Sequence, residues 1–146
     1  MKNVFMALIA TFAIVGTLVA QAPQKNKEMG KVKHITQEEF SKLVGDYTTH
    51  QWKYLGTKPA IVDFYADWCG PCRAMSPILE QVAAEYKDKI VVYKVNIDYE
   101  KDVTAAFGVR SIPTLVFFPM KGDPQISVGA MSKEELASLI KRYLLK

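Results

Sequence analysis

The chain has 146 residues, 49% of them hydrophobic and 23% charged, a globular composition long enough to bury one core without disulfide staples. Its formal charge of +4 arises from 19 basic and 15 acidic residues that are scattered rather than blocked. That distribution gives a solvated, mildly basic surface and no nucleic-acid site.

Met1, Lys2 and Asn3 precede a nearly unbroken apolar run from Val4 to Ala20, softened only by Thr11, Gly16 and Thr17. A positive charge, an apolar stretch and the small residues of Ala20-Gln21-Ala22 together read as a secretory signal. Pro23 is awkward directly after a cut at Ala22, so cleavage after Ala20 fits at least as well. The run is slightly short of the ~20 residues of a comfortable spanning helix, yet within its lower range, so a retained anchor is the alternative. No cysteine in this segment offers a lipid attachment point. Either way the folded part is expected to be exported, to a bacterial periplasm or cell envelope, with membrane contact only through an uncleaved amino terminus. The resulting division is 1–20 signal peptide or anchor, 21–30 polar linker, and 31–146 folded domain.

Within the domain, Lys31 to Ile35 alternates as a short strand, and Thr36-Gln37-Glu38-Glu39 is a capping box opening a helix that buries Phe40, Leu43 and Val44. Gly45 to Pro59 is irregular, and nothing in the sequence places its Trp52 and Tyr54. Ala60 to Tyr65 is an apolar strand. Pro71 to Tyr86 is a helix with apolar residues at three- and four-residue spacings, Pro71 in its first turn and Pro77 as an internal kink. Ile90 to Val95 is a β-branched strand, and Glu100 to Phe107 a short helix stopped by Gly108. Thr114 to Phe118 and Gln125 to Val128 form a hairpin, and Ser132-Lys133-Glu134-Glu135 caps a final helix striped by Leu136, Leu139, Ile140, Tyr143 and Leu144. The order β-α-β-α-β-α-β-β-α implies an α/β fold, a central mixed sheet with helices on both faces.

Both cysteines lie in Trp68-Cys69-Gly70-Pro71-Cys72, at the junction of strand and helix. Two thiols three positions apart can close a small ring and reopen it, which suits thiol–disulfide exchange. Cys69 sits just before the helix, where free amide protons and the dipole's positive end favour a thiolate. Cys69 is therefore the accessible nucleophile, and Cys72, one turn further in and more buried, resolves the mixed disulfide. The pair is itself the redox group, and no other cofactor or metal is expected.

Competing readings are weaker. As a structural staple, a four-residue loop yields only about 1.9 kcal/mol, against ~3 kcal/mol for a fifteen-residue loop. A zinc site needs four ligands, and only His34 and His50 remain, without paired spacing. Inert buried thiols sit badly with a helix start. Asp63 interrupts the apolar run Ile61-Val62-Asp63-Phe64 and should carry a raised pKa. Either it pairs with Lys94 on the neighbouring strand, or it exchanges the Cys72 proton through a water, or both. Ile112-Pro113 is compatible with an ordinary trans loop end.

Taken together, Val62-Asp-Phe-Tyr-Ala-Asp-Trp-Cys-Gly-Pro-Cys-Arg-Ala-Met-Ser-Pro77, Val109-Arg-Ser-Ile-Pro-Thr-Leu115 and Val128-Gly-Ala130 resemble the thioredoxin family, over roughly Lys31 to Lys146. The resemblance implies a cis Pro113 facing the disulfide and an Ile112 backbone able to pair with a substrate strand. It implies a docking surface of Trp68, Gly70, Pro71, Ile112, Pro113, Gly129 and Ala130. Asp63 then matches the family's buried acid, in favour of the proton-shuttle role, with Lys94 as its neighbour. Gly70-Pro71 between the cysteines, with Lys94 nearby, tunes the pair as in the reducing members. Tyr65 stands where another aromatic, often tryptophan, is usual.

The expected activity is a protein disulfide reductase acting on disulfides of exported proteins, as a monomer. An envelope thiol oxidase or isomerase is the rival within redox chemistry, a dedicated reductant for cytochrome assembly a narrower one, and a non-catalytic interaction module the rival outside it. Reference potentials near −270 mV for thioredoxins as a class and near −120 mV for a strong periplasmic oxidant differ by roughly 7 kcal/mol. Outside the cytoplasm such a dithiol would rest oxidised, so a donor is implied, either a membrane thiol carrier or a thioredoxin reductase.

Overall fold

A computed structural model describes residues 30–49 and 51–146. The signal or anchor, all of the linker except Gly30, and His50 lie outside the described residues.

Among the described residues, five strands and four helices follow in chain order: β1 Lys33–His34, α1 Gln37–Leu43, β2 Ala60–Tyr65, α2 Gly70–Glu85, β3 Val91–Asn96, α3 Lys101–Ala106, β4 Thr114–Phe118, β5 Gln125–Val128 and α4 Lys133–Tyr143. The strand order across the sheet is β1-β3-β2-β4-β5. Strands β1, β3 and β2 run parallel, while β4 and β5 run antiparallel to their neighbours. The mixed sheet read from the element order is therefore present.

Alternation along the central strands sorts their side chains onto two faces. On one face Ile61, Val92, Leu115 and Phe117 pack under α2 and α4 through Met75, Leu79, Leu136 and Ile140. On the other, Val62, Phe64, Val95, Val116 and Phe118 pack under α1 and α3 through Phe40, Val44 and Val103. Helices thus cover both faces, which is why β2 is buried almost along its whole length.

Both capping boxes form as the sequence implies: the side chains of Thr36 and Ser132 accept from the N–H groups of Glu39 and Glu135, whose carboxylates accept in return. Gly108 follows α3 at φ 61°, the left-handed position that lets a chain leave a helix. Leu43 departs from its expected burial and stays 41% exposed. Phe40 and Val44, one turn apart, already fill the inward face of the short α1. Trp52 and Tyr54, unplaced from sequence, lay their rings on Phe118, at 5.2 and 6.0 Å between centroids. The segment between α1 and β2 is thereby fastened over the α1/α3 face.

Candidate active site

Strand β2 ends at Tyr65, and four residues later α2 begins with Cys69 as its N-cap. The Cys72 N–H donates to Cys69 Sγ across 3.2 Å, so sulfur takes the place that a serine or aspartate oxygen holds in most caps. Pro71 occupies the first turn, where a missing amide proton leaves nothing unpaired. Cys69 and Cys72 form a disulfide with Cα atoms 5.3 Å apart. In this state Cys69 is less accessible than the sequence suggests, only 4% exposed against 1% for Cys72. Both sulfurs sit in a small apolar nest of Ala66, Ile97, Tyr65 and Ile112.

The residues expected to dock a substrate converge on this sulfur pair from three loops. The Ile112–Pro113 bond is cis, and the Ile112 carbonyl oxygen lies 3.9 Å from Cys69 Sγ. The Gly129 N–H donates to the Pro113 carbonyl at 2.8 Å, which binds the loop after β5 to the loop before β4. Gly129 has φ 101°, a conformation that a side chain would strain, and nothing lies within 4 Å of where a Cβ would be. Gly70, Pro71 and Ala130 are exposed beside them, and Trp68 covers the flank with its indole 66% exposed.

Asp63, in the middle of β2, is fully buried. Alternation places it on the α2 face of β2, directly beside Lys94 of β3 in the parallel register. Lys94 Nζ stands 3.7 Å from Asp63 Oδ2, a charge contact beyond hydrogen-bond length, and neither carboxylate oxygen receives a hydrogen bond. Burial pushes the Asp63 carboxyl up to about 6 from 3.8, and the Lys94 charge pulls it only part of the way back. The pairing with Lys94 foreseen from sequence is thus present in a loosened form, and the carboxylate has a titration point useful for proton exchange near neutrality.

A cleft of about 300 Å³ leads from solvent past His34, Tyr65, Ser76 and Glu80 to Lys94 and Cys72. Of these, the sequence alone points only to Lys94 and Cys72 as site residues. His34, weighed there as a zinc ligand, instead holds Nδ1 2.9 Å from the Tyr65 hydroxyl. Ser76 joins the site only in three dimensions, through the hydrogen bond it accepts from Lys94. Asp98, which accepts a hydrogen bond from Trp68, had no signal of its own.

A family model described as "Thioredoxin" matches residues 31–142. A thioredoxin of Borreliella burgdorferi is 43% identical over 110 residues, covering 75% of this chain and 94% of that protein. "Thioredoxin 1" of Synechococcus elongatus is 40% identical over 101 residues, covering 69% and 94% respectively. Among solved structures, an N21Q mutant thioredoxin from Halobacterium salinarum superposes with a TM-score of 0.63 at 30% identity, covering 79% of this chain and 92% of that one.

Proposed function

The chain belongs to the thioredoxin family and is a thiol–disulfide oxidoreductase; from that premise we propose that it reduces disulfides of exported proteins through Cys69 and Cys72. The observation that carries the reading is the sulfur cap. A thiolate at Cys69 inherits the Cys72 N–H and the positive end of a sixteen-residue helix, both of which favour the ionised nucleophile.

The reaction runs in two exchanges. The Cys69 thiolate attacks one sulfur of the substrate disulfide, that bond breaks, and the departing substrate thiolate takes a proton from water. Cys72 then gives its proton to the Asp63 carboxylate through a water, and its thiolate attacks Cys69 Sγ. The protein disulfide forms, and the second substrate sulfur leaves and is protonated. Two electrons have passed from the dithiol to the substrate, so the disulfide is the only redox group the cycle needs. Throughout, Trp68, Ile112, Pro113, Gly129 and Ala130 hold the substrate strand against Cys69. Gly70 and Pro71 leave the approach open.

Family membership implies disulfide-bearing protein substrates and a reducing partner in general. The exported setting is inferred from the apolar run Val4 to Ala20 behind Lys2. In that setting the donor is a membrane thiol carrier, or a thioredoxin reductase for any protein kept inside. Among the described residues no helix is long and apolar enough to cross a membrane. Trapping with Cys72→Ser in fractionated cells tests both parts. Mixed disulfides with envelope proteins support the reading, and capture confined to internal proteins overturns the exported setting. A reduction potential near the periplasmic oxidant's would instead make the protein an oxidase or isomerase.

A further inference from the structure

Lys94 has more than one partner in the cleft. Its Nζ donates to Ser76 Oγ at 2.7 Å, stands 4.2 Å from the centroid of the Tyr65 ring, and reaches Asp63 Oδ2 only at 3.7 Å. Of these three groups Asp63 is the only anion, yet the hydrogen bond goes to the neutral hydroxyl. The hydroxyl is set up to accept it. Ser76 donates its single proton to the Cys72 carbonyl one turn back on α2, at 3.3 Å, which leaves its lone pairs turned to the ammonium. The Tyr65 ring also contacts the cation, and its hydroxyl hydrogen-bonds with His34 Nδ1.

We propose that Ser76 is a positioning residue that holds the Lys94 ammonium off Asp63, so that the carboxylate keeps no direct donor and stays free to exchange a proton with Cys72. This rests on the shuttle role given to Asp63 above. Direct charge-assisted pairs close to about 2.7–2.9 Å, and closure here would stabilise the carboxylate strongly in so dry a place. Ser76 takes up the donor that would otherwise make that bond. Its anchor, the Cys72 carbonyl, ties the ammonium's place to the turn of helix that carries the resolving sulfur. The other charged or titratable groups facing the cleft are Arg73 and Glu80 from α2, His34 from β1, and Tyr65 and Asp67 from β2 and the turn after it. From β4 the neighbour of Asp63 is the uncharged Leu115. Only Lys94 among the cations is within 4 Å of Asp63 among the described residues.

The test is a carbon-detected NMR titration of the Asp63 carboxyl in the oxidised protein, where no thiol titrates, for wild type, Ser76→Ala and Ser76→Thr. Without the hydroxyl, the nearly buried Lys94 turns to its next acceptor, Asp63. The midpoint in Ser76→Ala should then move to lower pH by about half a unit or more, a roughly threefold stronger acid. Ser76→Thr, which restores the acceptor, should titrate like wild type. A midpoint in Ser76→Ala that is unchanged or moves to higher pH overturns the proposal. Because the readout is the carboxyl itself, it is independent of catalysis. The shuttle reading fails separately, if Asp63→Asn leaves the pH profile of reduction unaltered.

Discussion

Trp68 Nε1 donates to Asp98 Oδ2 at 2.9 Å, and this bond steadies an indole that is otherwise two-thirds exposed beside the disulfide. The acceptor is itself held, because the Asp98 N–H donates to Asn96 Oδ1 at 2.9 Å in the turn that leaves β3.

Asp98→Ala should therefore cost substrate docking rather than stability. At about 1 kcal/mol for an exposed hydrogen bond, KM for a protein disulfide rises about fivefold, with kcat nearly unchanged. A small-molecule disulfide, which does not need the indole, should be reduced at the wild-type rate. Equal losses with both substrates would show that Asp98 acts on the sulfurs and not through Trp68.

Asp63 sets a pH dependence of stability with a sign opposite to that of most carboxylates. Its carboxyl is raised from 3.8 to about 6 by burial, so the folded state binds the proton more tightly than the unfolded chain. That advantage is complete below 3.8 and is lost as pH rises through about 6. The loss is about 3 kcal/mol as an order of magnitude. Asp63→Asn should match wild type in chemical denaturation near pH 4 and exceed it by up to about that amount at pH 8. A constant difference at both pH values would mean that the effect is packing and not ionisation.

Trp52→Ala tests the segment between α1 and β2. The indole contacts Phe40, Phe107 and Phe118, at 6.5, 5.8 and 5.2 Å between centroids. Its truncation should cost about 3 kcal/mol, the low end for a large aromatic because the ring is only half-buried. Disulfide reduction at 25 °C should be unaffected, as the ring lies on the face of the sheet away from α2. A loss of activity with the fold intact would tie this segment to the redox site.

The strand, the cysteine motif and the start of α2 were legible because their causes are local. Apolar residues run along β2, a sulfur stands at the N-cap, and a proline sits in the first turn. Asp63 was legible as an anomaly for the same reason, a charge in a strand otherwise apolar on both faces. What stayed hidden depends on partners distant in sequence. Trp52 and Tyr54 meet Phe118 on one face of the sheet, Ser76 meets Lys94 between helix and strand, and Trp68 meets Asp98 across two turns. No local period or spacing encodes such meetings. Leu43 was misplaced because a helical stripe gives candidates for burial but not how many of them a short helix can seat.

Met75 makes a link that hydrophobic patterning could not reveal. The Met131 N–H donates to Met75 Sδ at 3.2 Å, so a buried thioether of α2 tethers the residue directly after Gly129 and Ala130. Met75→Leu keeps nearly the same volume, which limits the packing cost to under about 1.5 kcal/mol, but it removes the acceptor. The Met131 N–H then loses its partner, and the loop that carries Gly129 and Ala130 loosens around the Gly129–Pro113 bond. KM for a protein disulfide should rise about two- to fivefold, corresponding to a single weak hydrogen bond of about 0.5–1 kcal/mol. Small-molecule disulfide reduction and the reduction potential should stay at wild-type values, since neither sulfur of the pair has moved. An unchanged KM would mean that the Gly129–Pro113 bond alone holds the loop. Parallel losses with both substrates would place the effect of Met75 on the helix of Cys72 instead.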